Sequence, residues 1–350
     1  MTYYITHIGP RFLPNGGAEI FLRDFCKEFN GDIKFRQSIC LDHNCYDENF
    51  CGTFSHPVIR GGEKEIVEAI YQKDIIISLG YVPLNDMNLP KPEICIYNLV
   101  ADHEGGILKS NKYINHIVAC STQVSKICGR HNINYSVILP GIATDSDRLK
   151  VTEDRNLKRL SLGIKENDFL IGMIARLDDN KRQLALIKVM NLIKEERIKA
   201  IFIGNEDFGD SYLDYLKSNS IRNNCIFIPH QEKIGNWWNI LDCYCMLSQF
   251  EGCSAALFES LYFKVPVIST AVGSHLDILT EKNSVLINDV SRDLFGAIIK
   301  IHNLTLNKAR LNILKDNSYK TFLKFGDIKQ TAIQWKDLIL KLKNKNDNKE

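Results

Sequence analysis

The chain has 350 residues, of which 45% are hydrophobic and 25% charged, and its formal net charge is +2. That length predicts about two domains, and the charge balance argues against a nucleic-acid binder, although a local basic face stays open. No apolar run approaches the ~18 residues of a membrane span. Met1–Gly9 lacks the basic region and long apolar core of a signal peptide, so a cytosolic protein is expected.

Apolar runs then alternate with helical patterns, which predicts parallel sheets with crossover helices. In the first part, strands are expected at 3–8, 34–40, 74–79, 93–97, 116–120 and 136–139. Between the first two, Ala18 to Phe29 places Ile20, Phe21, Phe25 and Phe29 on one helical face. Asn15-Gly16-Gly17-Ala18-Glu19 opens that helix directly after the first strand. Two glycines there could let backbone N–H groups approach an anion, and they suit an ordinary strand-to-helix turn equally well. The dinucleotide and Walker glycine patterns are absent, which excludes the usual oxidoreductase reading.

Eleven cysteines are an odd number without a secretion signal. Cys95, Cys120, Cys243 and Cys245 lie in apolar runs, where cysteine acts as a small hydrophobe. Cys40, His43, Cys45, Cys51 and His56 cluster without a Cys-x2-Cys spacing, so no metal site is expected.

The pattern breaks at Leu139-Pro140-Gly141, and the polar segment Asp145 to Arg159 reads as interdomain. Residues 1–150 are thus expected to form one doubly wound domain and 151–326 a second. Alternation restarts with a strand at 169–174, a helix near 181–195, and strands at 200–203, 225–228, 243–247 and 265–269. Asp327 reads as the N-cap of a last helix through Trp335 and Leu342, followed by a frayed polar tail with Lys341, Lys343, Lys345 and Lys349. That tail could add weak attraction to anionic lipid at a membrane surface. In doubly wound sheets ligands sit at the carboxyl ends of strands, so two such units would bind a ligand between them.

Two further segments carry candidate chemistry. Arg176 and Lys181 lie five apart, just past the strand at 169–174, where such charge suits a diphosphate. A solvated loop with ordinary surface charges fits the same residues. Glu251 follows the strand at 243–247, and Glu259 comes two helical turns later, able to look back at the same crevice. Carboxylates there suit the vicinal diols of ribose or hexose. Alternatively, Glu259 is a solvent-facing helix residue.

Together these segments resemble family 4 of the retaining glycosyltransferases, also described as glycosyl transferases group 1, with the two-domain GT-B fold. Gly16-Gly17 is similar to the family's N-terminal glycine loop, Arg176 and Lys181 to its Arg-x4-Lys pair, and Glu251 to Glu259 to its Glu-x7-Glu element. Phe202-Ile203-Gly204-Asn205 and Pro266 to Gly273 resemble its strand ends, and the helix 327–345 its return to the first domain. The resemblance covers nearly the whole chain and is strongest from 170 to 280.

The resemblance implies that a hexose or N-acetylhexosamine moves from a nucleotide diphosphate sugar, UDP-type, to a carbohydrate or lipid-linked glycan acceptor with retained anomeric configuration. It assigns the acceptor to the first domain and the donor to the second. Glu259 would hold the ribose and Glu251 the donor sugar, with Gly252, Cys253 and Ser254 lining the donor. Arg176 and Lys181 would bind the diphosphate with help from Gly16 and Gly17, no metal being needed, and His103 is the candidate first-domain histidine. Glu251-Gly252-Cys253-Ser254 departs from the usual Glu-Gly-Phe-Gly, and Gly273-Ser274-His275-Leu276-Asp277 from Gly-Gly-x-x-Glu. The first departure, which loses Phe and Gly, could reshape the pocket against the donor sugar. A sugar-nucleotide 2-epimerase of the same architecture, or a nucleotide-binding protein without turnover, would carry the same diphosphate site.

Overall fold

The computed structural model describes residues 3–9, 17–30, 32, 35–41, 47–60, 75–79, 93–99, 112–206, 211–287 and 294–347. The chain divides into two units, Met1–Ala143 with Asp327–Glu350, and Thr144–Gly326.

The first unit carries β1 (Tyr3–Gly9), β2 (Phe35–Leu41), β3 (Val58–Arg60), β4 (Ile75–Leu79), β5 (Ile94–Leu99), β6 (His116–Ala119) and β7 (Tyr135–Val137). They form a sheet of order β3-β2-β1-β4-β5-β6-β7 in which every neighbouring pair is parallel. The described side chains of β4 and β5 are buried throughout, as parallel strands covered on both faces require. The three-residue β3 was not expected, because Val58-Ile59-Arg60 is too short to show a period.

The helix Gly17–Glu28 lays Phe21 and Phe25 on the sheet, and Phe25 meets Trp335 with ring centroids 5.4 Å apart. Trp335 belongs to the helix Ile328–Asp347, so the end of the chain completes the first unit's core. The junction is tight. A Cβ on Gly141 would come 2.4 Å from the Asp327 carbonyl carbon, and Thr331 Oγ1 accepts from Gly141 N at 2.9 Å. The expected frayed tail is corrected here: the helix runs to Asp347, and Lys343 is buried, ion-paired with Glu93 and held over the Tyr3 ring. These contacts of the Lys343 ammonium tie the last turns of the helix to the rest of the first unit.

The second unit carries β8 (Phe169–Ile174), β9 (Ile198–Ile203), β10 (Cys225–Ile228), β11 (Cys243–Met246), β12 (Val267–Thr270) and β13 (Ser284–Ile287). Their order is β10-β9-β8-β11-β12-β13, again with parallel neighbours throughout. The last strand was not expected, since Ser284-Val285-Leu286-Ile287 gives too short an apolar run. Leu186, Met190, Phe202, Ile268 and Ile301 fill the core.

The polar segment Asp145 to Arg159 falls within this unit. Its helix Arg155–Ser161 brings Arg155 and Arg159 onto Asp242, immediately before β11. The strand order reverses at β8, flanked by β9 on one side and β11 on the other. Ligands of doubly wound sheets bind at the carboxyl ends of the strands at such a reversal.

Candidate functional site

The loop leaving β8 carries Arg176 and Lys181. Gly204, at the end of β9, supports its start: a Cβ there would lie 2.0 Å from the Ala175 carbonyl oxygen. Leu177 N donates to Asn205 O at 2.9 Å, and Gln183 Nε2 donates to Arg176 O at 2.7 Å. Asp178 organises both cations. Its Oδ1 accepts from Lys181 N at 2.9 Å and its Oδ2 from Arg176 Nε at 2.7 Å. With the Arg176 side chain 45% exposed, its pair with Asp178 adds little stability.

The loop leaving β11 is stitched to the first. Asn180 O accepts from Gln249 N at 2.8 Å, while the Asn180 amide pairs with both Phe250 N (2.9 Å) and Phe250 O (3.0 Å). This holds Glu251 where its Oε1 accepts from Lys181 Nζ at 2.5 Å and from Ser248 Oγ at 2.6 Å. The Glu251 side chain is only 8% exposed, so the ion pair is largely withdrawn from water.

From beneath, Gly273 presses on the same loop at φ +54, where a Cβ would meet Glu251 O at 2.0 Å. Ser274 N donates to Gly252 O at 2.9 Å. Burial pushes the Cys253 thiol up to about 12, so it is no nucleophile at neutral pH. His275 is buried with Nδ1 near Ser269 Oγ (2.8 Å) and Thr270 O (3.0 Å). Burial lowers its pKa, with partial opposition from Glu251, which leaves a neutral ring under the loop.

Glu259 lies in the helix Ala255–Tyr262 and is 2% exposed. The solvent-facing reading is therefore overturned: flanked by buried Phe258 and Leu261, that face of the helix packs inward. Its Oε1 is paired with Arg148 Nη1, and its Oε2 accepts from Trp238 Nε1 at 2.9 Å. Buried Tyr244 connects the two carboxylate regions. Its hydroxyl donates to Ile174 O at 3.1 Å, and its ring meets Trp238 edge-on at 4.8 Å. Its pKa is driven well up by burial, then by Glu251 and by Glu259.

Arg148 was not found from sequence. It sits in a three-residue 3-10 turn, Asp147–Leu149, with no motif around it, and only the buried Leu149 beside it marks the turn as anchored. Of the first-unit candidates, Gly17 is the first residue of its helix, while Gly16 and His103 lie outside the described residues. So do His43 and Cys45 of the cysteine cluster, in which Cys51 is buried.

Two doubly wound units, the second with paired cations and carboxylates at its strand reversal, define the GT-B class of fold. The likeness to solved structures agrees. HepE of Anabaena in complex with UDP-glucose superposes with a TM-score of 0.81 at 17% identity, covering 97% of this chain and 99% of that one. Residues 154–321, which lie within the second unit, match the family described as "Glycosyl transferases group 1".

A glycogen synthase of Mycoplasma mobile is 32% identical over 131 residues, 36% of this chain and 27% of that protein. The GalNAc-α-(1→4)-GalNAc-α-(1→3)-diNAcBac-PP-undecaprenol α-1,4-N-acetyl-D-galactosaminyltransferase of Campylobacter jejuni is 26% identical over 183 residues, 51% of this chain and 50% of that protein. The matches thus span half or less of these curated relatives. Among the described residues, no helix is long and apolar enough to cross a membrane.

Proposed function

We propose that this chain is a glycosyltransferase that moves a hexose or N-acetylhexosamine from a UDP-type nucleotide sugar to a carbohydrate acceptor, with retention of anomeric configuration. The observation that carries the reading is the convergence of Arg176, Lys181 and Glu251 on two stitched loops at the strand reversal. Arg176 and Lys181 bind the diphosphate, and their attraction grows as negative charge develops on the leaving group. That charge makes a metal unnecessary in this reading. Glu251 accepts hydroxyls of the donor sugar, with Gly252, Cys253 and Ser254 around it, and Glu259 accepts those of the ribose. The leaving phosphate takes the proton of the acceptor hydroxyl as the new bond forms on the same face.

The Campylobacter relative is named for a lipid-linked glycan acceptor, which favours an acceptor of that class and a role in surface-glycan assembly. The first unit is then the acceptor domain, and any membrane contact is peripheral, through Lys341 and Lys345 on the exposed face of the last helix. The test is product analysis in chelator, with UDP-sugars offered alone and with a lipid-linked glycan. Acceptor-dependent UDP release supports the proposal. Conversion of the sugar without acceptor marks an epimerase, and binding without either reaction marks a protein that has lost turnover.

A further inference from the structure

Arg148 stands apart from every segment that points to nucleotide-sugar chemistry, yet it is ion-paired with one of the carboxylates that chemistry would use. Its side chain is 26% exposed, whereas Glu259 beneath it is 2% exposed. The turn that carries it is fastened by two consecutive residues at the start of the helix Gly235–Ile240. Ile234 N donates to Arg148 O at 2.8 Å, and Gly235 packs so closely that a Cβ would lie 2.4 Å from the Leu149 and Lys150 carbonyl oxygens. The backbone of the turn is therefore placed by contacts that do not depend on the ion pair.

An ionised carboxylate offers about four acceptor directions. Arg148 uses one on Oε1 and Trp238 one on Oε2, which leaves one on each oxygen, the number a vicinal diol needs. Resting on the donor reading proposed above, we infer that Arg148 is the positioning residue for the nucleotide ribose: it keeps Glu259 ionised and aimed so that both free acceptor directions meet the 2′- and 3′-hydroxyls. A carboxylate this deeply buried loses its charged form without a counter-cation. A protonated one would offer a donor where the diol also offers donors.

The groups facing Glu259 among the described residues are few. Arg148 comes from the 3-10 turn, Trp238 from the helix Gly235–Ile240, and Tyr244 from β11. His230, after β10, is close enough to Arg148 for the cation to help burial lower its pKa, and Glu232 opposes that shift. The helix Lys308–Phe325 meets the Glu259 helix at Tyr262 through the rings of Tyr319 and Phe322. Arg148 is thus the cation that neutralises Glu259 directly.

The experiment measures UDP affinity by calorimetry from pH 6 to pH 9 for the wild type, Arg148→Met, Arg148→Lys and the double variant Arg148→Met/Glu259→Gln. The probe's own phosphate ionisation is common to all and cancels in ratios to wild type. Arg148→Met is expected to bind at least about tenfold more weakly near pH 6 and to recover toward pH 9, since each unit of carboxyl pKa raised is a factor of ten in the ionised fraction. Arg148→Lys should restore most of the affinity and remove the added pH dependence. The double variant should be weak at every pH, with no recovery. If Arg148→Met does not fold, Arg148→Lys alone decides: an added pH dependence in it overturns the inference, and its absence supports it. A loss in Arg148→Met that is uniform across pH, or no loss, also overturns the inference while leaving the donor site standing. A wild type that binds no UDP instead removes the donor reading itself.

Discussion

Lys181 and Glu251, 70 positions apart in sequence, meet at 2.5 Å in a pair that also takes the hydroxyl of Ser248. Under the proposed function Lys181 belongs to the diphosphate contacts and Glu251 to the sugar contacts, which would join the two functions at one bond. In the reading proposed above, a donor entering here offers its phosphate oxygens to Lys181 and its hydroxyls to Glu251. Substrate then replaces one set of charge-assisted bonds with another, and neither group is left without a partner.

Lys181→Ala is expected to lower kcat by about 10²–10³, the scale seen when a preorganised oxyanion donor is lost. It also leaves the largely buried Glu251 carboxylate without this cation, and in the metal-free reading proposed above neither magnesium nor manganese should restore turnover. Arg176→Ala should act similarly, and Arg176→Lys should recover only part, because a point charge replaces a planar fork. Steady-state rates with and without added metal check each of these.

Gly273→Ala should disturb the site while keeping the fold. The new methyl would fall 2.0 Å from Glu251 O at a φ of +54, so the Glu251–Gly252 segment must move. A stability loss of about 1–3 kcal/mol by urea titration is expected, with a large fall in turnover. Gly129→Ala, where nothing lies within 4 Å of the added carbon, serves as the control and should change neither.

Much of this arrangement was legible in the sequence. Strands such as β8 and β10 are bounded by turns and apolar within, so their limits were read directly from 169–174 and 225–228. Arg176, Lys181 and Glu251 were visible because each follows such a strand. What escaped was non-local. Arg148 acts on Glu259 across 111 positions, without a motif at either end of its turn. Lys343 was read as part of a polar tail because its partner, Glu93, is 250 positions away. β3 and β13 are stabilised by the strands they pair with, and their own sequence shows no period.

Asp242 should be the most sensitive charged position for the second unit's stability. It accepts from Arg155 Nη2 at 2.7 Å, from Arg159 Nη1 at 3.0 Å and from Leu170 N at 2.8 Å. Removing it leaves the buried Arg159 without its carboxylate. Asp242→Ala is expected to cost about 3–5 kcal/mol, measured as a lower urea midpoint with an unchanged slope.

His116 should make the first unit sensitive to mild acid. Burial lowers its pKa from 6.5 to about 4, helped by Lys341 and Lys345 of the last helix. A depressed folded-state value means that the unfolded chain takes the proton first as pH falls. Its contribution is therefore complete above pH 6.5 and is lost progressively toward pH 4, at up to about 1.4 kcal/mol per pH unit. His116→Gln should flatten the stability profile in that window, read from urea midpoints at successive pH values, and should leave the profile near pH 8 unchanged in slope.

The central claim is that the second unit binds a nucleotide sugar with its ribose on Glu259 and its sugar on Glu251, without a metal. Calorimetric titration of UDP and UDP-sugars in chelator, into the wild type, Glu259→Gln and Glu251→Ala, tests it most directly. Loss of a charged hydrogen bond contributes roughly 1.5–3 kcal/mol, so Glu259→Gln should bind both ligands about ten- to a hundredfold more weakly. Glu251→Ala should keep its affinity for UDP while losing affinity and discrimination for the UDP-sugar. Binding that vanishes in chelator, or a folded Glu259→Gln with wild-type affinity for UDP, would contradict the account.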